Sequence, residues 1–166
     1  MIEVRPMQKR DIDAVFEIEK LSFRSPWSKL SLQSELKNEV AHYYVLTREG
    51  KVAAFLGMWL LYDEAHVTNV AVHPMHRRAG LGRLLMLYSM RAALRLGATA
   101  MTLEVRETNV AAQTMYRGLD FSKQGYRPRY YSDTGEGALL LWNNDIAETV
   151  EKNACSFIRF GLELEG

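Results

Sequence analysis

The chain has 166 residues, of which 48% are apolar and 25% charged, and its net charge is +1. These values are typical of one globular domain and give no support for a nucleic-acid or membrane partner. A single cysteine, Cys155, excludes an internal disulfide and favours a reducing compartment. The N-terminus has no apolar signal segment, and the apolar stretch 52–62 is far shorter than the ~20 residues of a spanning helix. We therefore expect a cytoplasmic, monomeric protein.

The first half of the chain predicts one strand, two helices and then three strands. Residues 2–5 alternate like a strand, and Asp11 can cap a helix with apolar residues at a period near 3.6. Ser28 can cap a second, short helix that ends at about Asn38. Runs of β-forming residues predict the three strands, 42–47, 52–61 and 65–73.

The second half contains a long amphipathic helix from Leu81, with Gly97 as its stop signal. The elements predicted after it are a strand (99–105), a helix (109–119) and two strands (121–127 and 137–142). The segment after Asn143 has only weak helical character. The order β-α-α-β-β-β-α-β-α-β-β predicts a mixed α/β sheet with one β-α-β crossover.

The loop HRRAGLGRLL, residues 76–85, joins a predicted strand to the long helix. Backbone N–H groups at a helix N-terminus bind anions, and Gly80 and Gly82 let the backbone approach phosphate oxygens closely. The loop lacks the Lys-Ser/Thr of a Walker A motif, and Leu85 replaces the third glycine of a dinucleotide fingerprint. It therefore favours a pyrophosphate bound mainly by main chain. The alternative is a tight turn flanked by solvated arginines.

Several motifs taken together resemble the GNAT superfamily of acetyl-CoA-dependent N-acetyltransferases. They are NVAVHP from Asn69, RRAGLG at 77–82, LEVR at 103–106, Asn109, and Met115-Tyr116 followed by Phe121. The loop matches the family signature Q/R-x-x-G-x-G/A. The resemblance implies a GNAT domain over 1–143, with a mostly antiparallel sheet of about seven strands and about four helices. Residues 144–166 would be a C-terminal extension, either helical or partly disordered.

Three stretches are similar to the bacterial subfamily that acetylates the N-terminal alanine of a small-subunit ribosomal protein. They are LEVRETNVAAQTMY from Leu103, SPW at 25–27 and RYY at 129–131. The resemblance implies acetyl-CoA as co-substrate, no metal, and a protein N-terminus as acceptor. Two alternatives remain open, namely an enzyme for a small amine or a lysine side chain and a coenzyme-binding module without turnover.

The resemblance also implies which residues bind acetyl-CoA. Backbone groups on a bulged strand would pair with the pantetheine arm and stabilise the oxyanion, the glycine loop would hold the pyrophosphate, and a helix-capping asparagine would contact the arm. The implied residues are Val70, Ala71, Val72, Arg77, Arg78, Ala79, Gly80, Leu81, Gly82, Arg83 and Asn109.

Glu104 and Tyr116 are the candidate catalytic residues. Strand alternation puts Glu104 on the face opposite Leu103 and Val105, where a partly desolvated carboxylate can act as general base, directly or through water. The alternative is a structural ion pair with an arginine such as Arg106. The resemblance places Tyr116 beside the thioester sulfur as general acid, and the alternative is a core tyrosine.

Trp27, Tyr130 and Tyr131 would line a slot for the acceptor peptide, as the subfamily resemblance implies. Trp27 fits equally well as an apolar anchor between two helices. Asp133 and Glu136 either attract a basic peptide or are simply solvated.

The sequence departs from the family pattern in one place that bears on local geometry. Asp120 stands before Phe121 where relatives have glycine, and aspartate tolerates the left-handed conformation better than most residues. A helix that ends differently at Gly118 is the alternative.

Overall fold

A computed structural model describes residues 1–162, which form a seven-stranded sheet with helices on both faces. The strands are β1 (Ile2–Pro6), β2 (Ala41–Arg48), β3 (Lys51–Leu61), β4 (Glu64–Val72), β5 (Ala100–Arg106), β6 (Ser122–Arg127) and β7 (Ala138–Asn143). The helices are α1 (Ile12–Ser22), α2 (Lys29–Glu35), α3 (Leu81–Arg95), α4 (Val110–Gly118), α5 (Ile146–Lys152) and α6 (Ala154–Arg159). Short 3-10 turns, Lys9–Asp11 and Pro74–His76, also occur.

The strand order is β1-β2-β3-β4-β5-β7-β6, and every neighbouring pair is antiparallel except β4 and β5. Helix α3 connects these two parallel strands, as the crossover in the predicted order requires. The predicted fold class, a mixed and mostly antiparallel α/β sheet of about seven strands, is confirmed.

The two faces of the sheet carry separate apolar clusters. Along β2, Tyr43 and Val45 belong to a cluster with residues of α1 and α2, whereas Tyr44 and Leu46 belong to one with α3 to α6. This division follows from the period of two in a strand, which sends successive side chains to opposite faces. The helices therefore cover both faces and leave the ends of the strands accessible.

Two predicted helix caps are confirmed, and in both the capping side chain accepts from the N–H three residues later. The Ser28 side chain accepts from the Ser31 N–H, and Asn109 accepts from the Ala112 N–H at the start of α4. Helix α3 ends before Gly97, whose φ of 98° is left-handed. Helix α2 ends at Glu35, three residues earlier than predicted.

The sequence predicts that the Asp11 side chain caps α1, but this side chain makes no hydrogen bond to the helix. Its carboxylate accepts the Gln8 N–H at 2.8 Å and both terminal nitrogens of Arg5 at 2.7 and 2.8 Å, so it is not free to bond to α1. A partner six residues earlier on β1 therefore replaces the local cap.

The described part of the C-terminal extension forms two short helices, which brings the number of α-helices within residues 1–162 to six instead of about four. Ile146 of α5 and Phe157 of α6 are fully buried in the cluster that contains α3. The residues 163–166 of the predicted extension lie outside the described residues. Its treatment as a unit distinct from 1–143 stays a prediction.

Asp120 adopts the left-handed conformation that its position requires, with a φ of 68°. Helix α4 ends at Gly118, as in the alternative, but the φ of Gly118 is not left-handed, and the left-handed residue after the helix is Asp120. The Asp120 carboxylate accepts the Thr149 hydroxyl at 2.7 Å and the Lys152 ammonium at 2.8 Å. The residue that replaces the family's glycine thus fastens α5 to the end of α4.

Candidate active site

A cleft of about 1400 Å³ opens where β4 and β5 separate. The two strands pair only over Glu64–His66 and Ala100–Thr102. Beyond these pairs, residues from Val67 on β4 and from Leu103 on β5 line the two sides of the cleft. The backbone groups of β4 on this side are therefore available to a ligand that lies between the strands.

The cleft brings together nearly all of the residues that the sequence nominates. Of the sixteen candidate site residues, only Ala79 is absent from its lining. The lining residues among them are Trp27, Val70, Ala71, Val72, Arg77, Arg78, Gly80, Leu81, Gly82, Arg83, Glu104, Asn109, Tyr116, Tyr130 and Tyr131.

The glycine loop meets the N-terminus of α3 in a geometry that favours glycine at position 80. Gly80 occupies the N-cap position with a φ of 76°, and because it has no side chain it does not cap the first N–H groups of α3. A Cβ on Gly82 would make ordinary van der Waals contact, at 3.4 Å from Val72 and 3.5 Å from the sulfur of Met115. These N–H groups and the helix dipole form an anion-binding position.

The three arginines of the loop have different surroundings. Arg77 donates from Nε to the Val72 carbonyl at 3.2 Å, which ties the loop to the end of β4. Arg78 is exposed and has a left-handed φ of 64°. Arg83 donates to the Ser156 hydroxyl at 3.0 Å and to the Asn153 amide oxygen at 2.5 Å, both in the C-terminal extension.

Glu104 projects into the cleft from β5, while Leu103 and Val105 are buried on the other face as predicted. Its side chain is 30% exposed, and its carboxylate oxygens lie 3.5 Å from Arg127 and 3.5 Å from the Tyr130 hydroxyl. The alternative partner, Arg106, instead pairs with Asp133 and Glu136.

Tyr116 lies on α4, where it is both buried and part of the cleft lining. Its ring packs edge-on against Phe121 at a centroid distance of 5.7 Å. Tyr116 is therefore a core residue that also lines the cleft. Burial raises the pKa of the Tyr116 hydroxyl, and the nearby Tyr131 raises it further. The phenol is therefore protonated at neutral pH and able to donate.

Aromatic side chains line the end of the cleft near Glu104. Tyr130 and Tyr131 pack edge-on at 5.1 Å, and the Arg106 guanidinium lies 4.0 Å from the Tyr131 ring centroid. Burial raises the pKa of Tyr131 to about 12, although Arg106 opposes this effect. Trp27 is half-buried against the α1 cluster, as an apolar anchor would be, and it also lines the cleft, so its role toward an acceptor peptide stays a prediction.

The acidic residues of the 130–137 connection are paired within the protein. Arg106 forms a two-armed contact with Asp133 at 3.0 and 2.7 Å and a third contact with Glu136 at 3.1 Å. Glu136 also accepts from the Thr108 hydroxyl. These contacts tie the connection that carries Tyr130 and Tyr131 to the end of β5, although Asp133 itself is exposed.

Glu19 is a buried carboxylate in the cleft lining that the sequence analysis did not identify. It is 1% exposed and accepts from the Asn69 amide at 2.6 Å and from the Trp27 N–H at 3.2 Å. Burial raises the pKa of Glu19, and the two hydrogen bonds oppose this rise. The sequence does carry a signal, because Glu19 lies seven positions after Ile12 on the apolar stripe of α1.

The hydrogen bonds continue from Glu19 into a β-bulge on β4. The register with β3 shifts so that Thr68 is the extra residue, just before the stretch 70–72 where a bulge was expected. The Thr68 hydroxyl bonds to Asn69 at 3.0 Å and to the Tyr43 hydroxyl at 3.2 Å. Tyr43 crosses directly over Gly57, where a Cβ would lie 2.3 Å from the ring.

Over the described range 1–162, the helices are too short or too polar to cross a membrane. The same range contains no group of three or more His, Cys, Asp or Glu residues placed to hold a metal ion. The absence of a metal and the monomeric state stay predictions.

Comparison with known proteins gives matches over most of the chain. The Acetyltransferase (GNAT) family model matches residues 12–121. A Bacillus subtilis protein with the provisional name ribosomal protein bS18-alanine N-acetyltransferase is 41% identical over 140 residues, or 84% of this chain and 93% of that protein. The Escherichia coli ribosomal protein bS18-alanine N-acetyltransferase is 32% identical over 85% of this chain and 96% of its own length.

Solved structures give the same result. The ribosomal-protein-S18-alanine N-acetyltransferase from Escherichia coli has a TM-score of 0.79 at 33% identity, over 86% of this chain and 92% of that chain. Ard1 from Thermoplasma volcanium has a TM-score of 0.79 at 26% identity, over 86% and 96% of the two chains.

Proposed function

Since the chain belongs to the GNAT acetyltransferase family, we propose that it transfers the acetyl group of acetyl-CoA to the N-terminal α-amine of a protein. We further propose that the acceptor is the N-terminal alanine of a small-subunit ribosomal protein, the activity named for the Escherichia coli relative. The main support is that Glu104, Tyr116 and the anion-binding end of α3 line one cleft between two separating strands.

The co-substrate would lie along the open edge of β4. Its pyrophosphate would accept from the N–H groups at the start of α3, near Gly80 and Gly82, and its pantetheine arm would pair with the backbone of Val70–Val72. Asn109 already caps α4 through its side-chain oxygen, and its side-chain nitrogen stays available to the arm. An N–H of the β4 segment would stabilise the oxyanion.

The acetyl transfer requires three proton movements. Glu104 takes a proton from the acceptor ammonium, directly or through water, and the free amine attacks the thioester carbonyl carbon. A C–N bond forms, the carbonyl oxygen becomes an oxyanion and the nitrogen becomes positively charged. The nitrogen then loses a second proton to solvent, and the C–S bond breaks as the oxyanion returns to a carbonyl. The Tyr116 phenol is protonated at neutral pH even at the ordinary tyrosine pKa, which burial raises, so it can donate to the departing thiolate and regain a proton from solvent.

The acceptor peptide would enter between the SPW loop and the connection that carries the two tyrosines. Trp27 is positioned by its N–H bond to Glu19, and Tyr131 by its contact with Arg106. Both walls are thus fixed by buried or multiply bonded groups, which favours a narrow slot for an extended chain rather than an open surface. A cytoplasmic location agrees with a ribosomal acceptor and is part of the proposal.

A panel of acceptors tests this function. The protein and acetyl-CoA are incubated with peptides that differ in their first residue, with an internal-lysine peptide, and with polyamines, and thiol release is measured. Activity with an alanine N-terminus above the other acceptors is the expected result. Activity only with polyamines or with the lysine peptide would show that the protein is an acetyltransferase for small amines or lysine side chains. Binding of acetyl-CoA without any thiol release would show that it is a coenzyme-binding module without turnover.

Two variants test the catalytic roles. Glu104→Gln and Tyr116→Phe should each lower turnover by about 10²-fold or more while acetyl-CoA still binds. The matched controls are Glu3→Gln on the exposed part of β1 and Tyr62→Phe on the fully exposed β3–β4 turn, and both should keep wild-type turnover. Wild-type rates in the two site variants would remove the assigned roles.

A further inference from the structure

We infer that the C-terminal extension forms one wall of the subsite for the nucleotide end of acetyl-CoA, with Phe160 against the adenine and Arg159 toward the 3′-phosphate. This inference rests on the proposed function, because it assumes that acetyl-CoA binds in the cleft. The family model ends at residue 121, so the extension lies outside the segment that the model matches.

The extension is anchored firmly enough to be a wall. Ile146 and Phe157 are fully buried against the same cluster as α3, and Thr149 and Lys152 both bond to Asp120. Helices α5 and α6 thus run from the end of α4 to the start of α3. The residues that follow α6 arrive beside the glycine loop.

Two contacts join the extension to the loop itself. The Arg83 guanidinium donates to Ser156 of α6 and to Asn153, the residue before α6. The first turn of α3 is therefore tied to the extension. The Phe160 ring lies over Gly80, where a Cβ would be 3.6 Å from its Cζ atom. The loop is therefore bounded by the cleft on one side and by the extension on the other.

The chemistry beside the loop suits the part of the co-substrate that extends past its pyrophosphate. That part is an adenosine with a 3′-phosphate, which needs a flat apolar surface and a cation. Phe160 is only partly buried, and the Arg159 guanidinium lies 5.8 Å from its ring centroid. Bases stack on aromatic rings, and arginine pairs with phosphate.

Binding measurements on the full-length chain test the inference with two probes, acetyl-CoA and its analogue that lacks the 3′-phosphate. Phe160→Ala should weaken both probes about tenfold, since stacking of one base contributes about 1–3 kcal/mol. Arg159→Gln should weaken acetyl-CoA several-fold and leave the analogue unchanged. Ile158→Ala, a 68% exposed residue on the same helix, is the control and should bind both probes like the wild type.

The outcomes separate the inference from the proposed function. If the wild type fails to bind acetyl-CoA, the proposed function is wrong. If the wild type binds and both site variants bind like it, the inference is wrong and the proposed function stands. Should Phe160→Ala unfold, Arg159→Gln decides alone, because its side chain is exposed: loss of the preference for the 3′-phosphate supports the inference, and retention overturns it.

Discussion

Asp120 is the residue whose replacement gives the clearest energetic prediction. Its carboxylate accepts from Thr149, which is fully buried, and from Lys152, which is exposed. The bond from a buried hydroxyl to a charged acceptor contributes about 1.5–3 kcal/mol. The ion pair with Lys152 contributes little, because both side chains are more than a third exposed. The contacts therefore stabilise the fold by about 1.5–3 kcal/mol, mainly through Thr149.

The backbone of Asp120 acts in the opposite direction. A φ of 68° costs a non-glycine residue about 1 kcal/mol, which glycine does not incur. We therefore expect Asp120→Ala, which keeps the backbone cost, to lower the free energy of unfolding by about 1.5–3 kcal/mol, and Asp120→Gly to lower it by about 0.5–2 kcal/mol. For a chain of this size the alanine variant should melt about 3–12 °C lower than the wild type.

Urea and thermal unfolding of the three proteins measure these differences. Asp13→Ala is the matched control, because Asp13 forms an exposed ion pair with Lys29 at 2.9 Å and has no buried partner or left-handed backbone. Its effect should stay below about 0.5 kcal/mol. A glycine variant as stable as the wild type, or an alanine variant as stable as the glycine variant, would refute the reasoning.

The stability difference at Asp120 should also depend on pH. Its hydrogen bond from Lys152, followed by that from Thr149, holds the pKa of Asp120 below its ordinary value of 3.8. A lowered pKa in the folded state means that the contribution is complete above pH 3.8 and is lost as the pH falls through the folded pKa. The wild type and Asp120→Gly should therefore become more alike in acid.

Three further changes have defined outcomes. Asp11→Ala removes the two carboxylate acceptors of Arg5 and should cost about 3 kcal/mol at neutral pH. Because Arg5 holds the pKa of Asp11 low, the difference should shrink only in acid, and a constant difference in urea midpoint would contradict this. Glu19→Gln leaves one of the two N–H donors to Glu19 without an acceptor. The change should raise the KM of the acceptor peptide about tenfold and leave the Kd of acetyl-CoA unchanged. Equal changes in this KM and this Kd would argue against a role on the acceptor side. Gly57→Ala places a Cβ 2.3 Å from the Tyr43 ring and should lower the free energy of unfolding by about 2 kcal/mol, and a wild-type melting temperature would show that the ring moves without cost.

Local signals predicted the fold well where the stabilising contact is itself local. The caps at Ser28 and Asn109 join atoms three residues apart, and the chain around Gly97 needs a left-handed residue. Asp11 failed as a cap because Arg5, on a neighbouring element, competes for the same carboxylate. Helices α5 and α6 were only weakly indicated, since helices this short depend on packing rather than on propensity.

The candidate site also has a part that local motifs indicate and a part that depends on contacts between residues far apart in the sequence. The motifs indicated residues that line one cleft, because Val70–Val72 lie at the end of β4 and Leu81–Arg83 lie at the start of α3. The partners of Arg83 are about seventy positions later in the chain, and Glu19 meets Asn69 fifty positions away, so no pattern near either residue indicates the contact. Such contacts depend on how the elements pack together.

The short pairing of β4 with β5 has a consequence for how the protein opens. Three residue pairs join the block β1–β4 to the block β5–β7–β6, and the crossover helix α3 is the covalent link between them. We expect the two blocks to exchange their amide hydrogens as separate cooperative units, with the lowest opening free energy at this seam. A ligand bound between the blocks at a hundred times its Kd adds about 2.7 kcal/mol of stability. The lifetime of the folded protein against proteolysis should therefore rise and fall with the supply of that ligand.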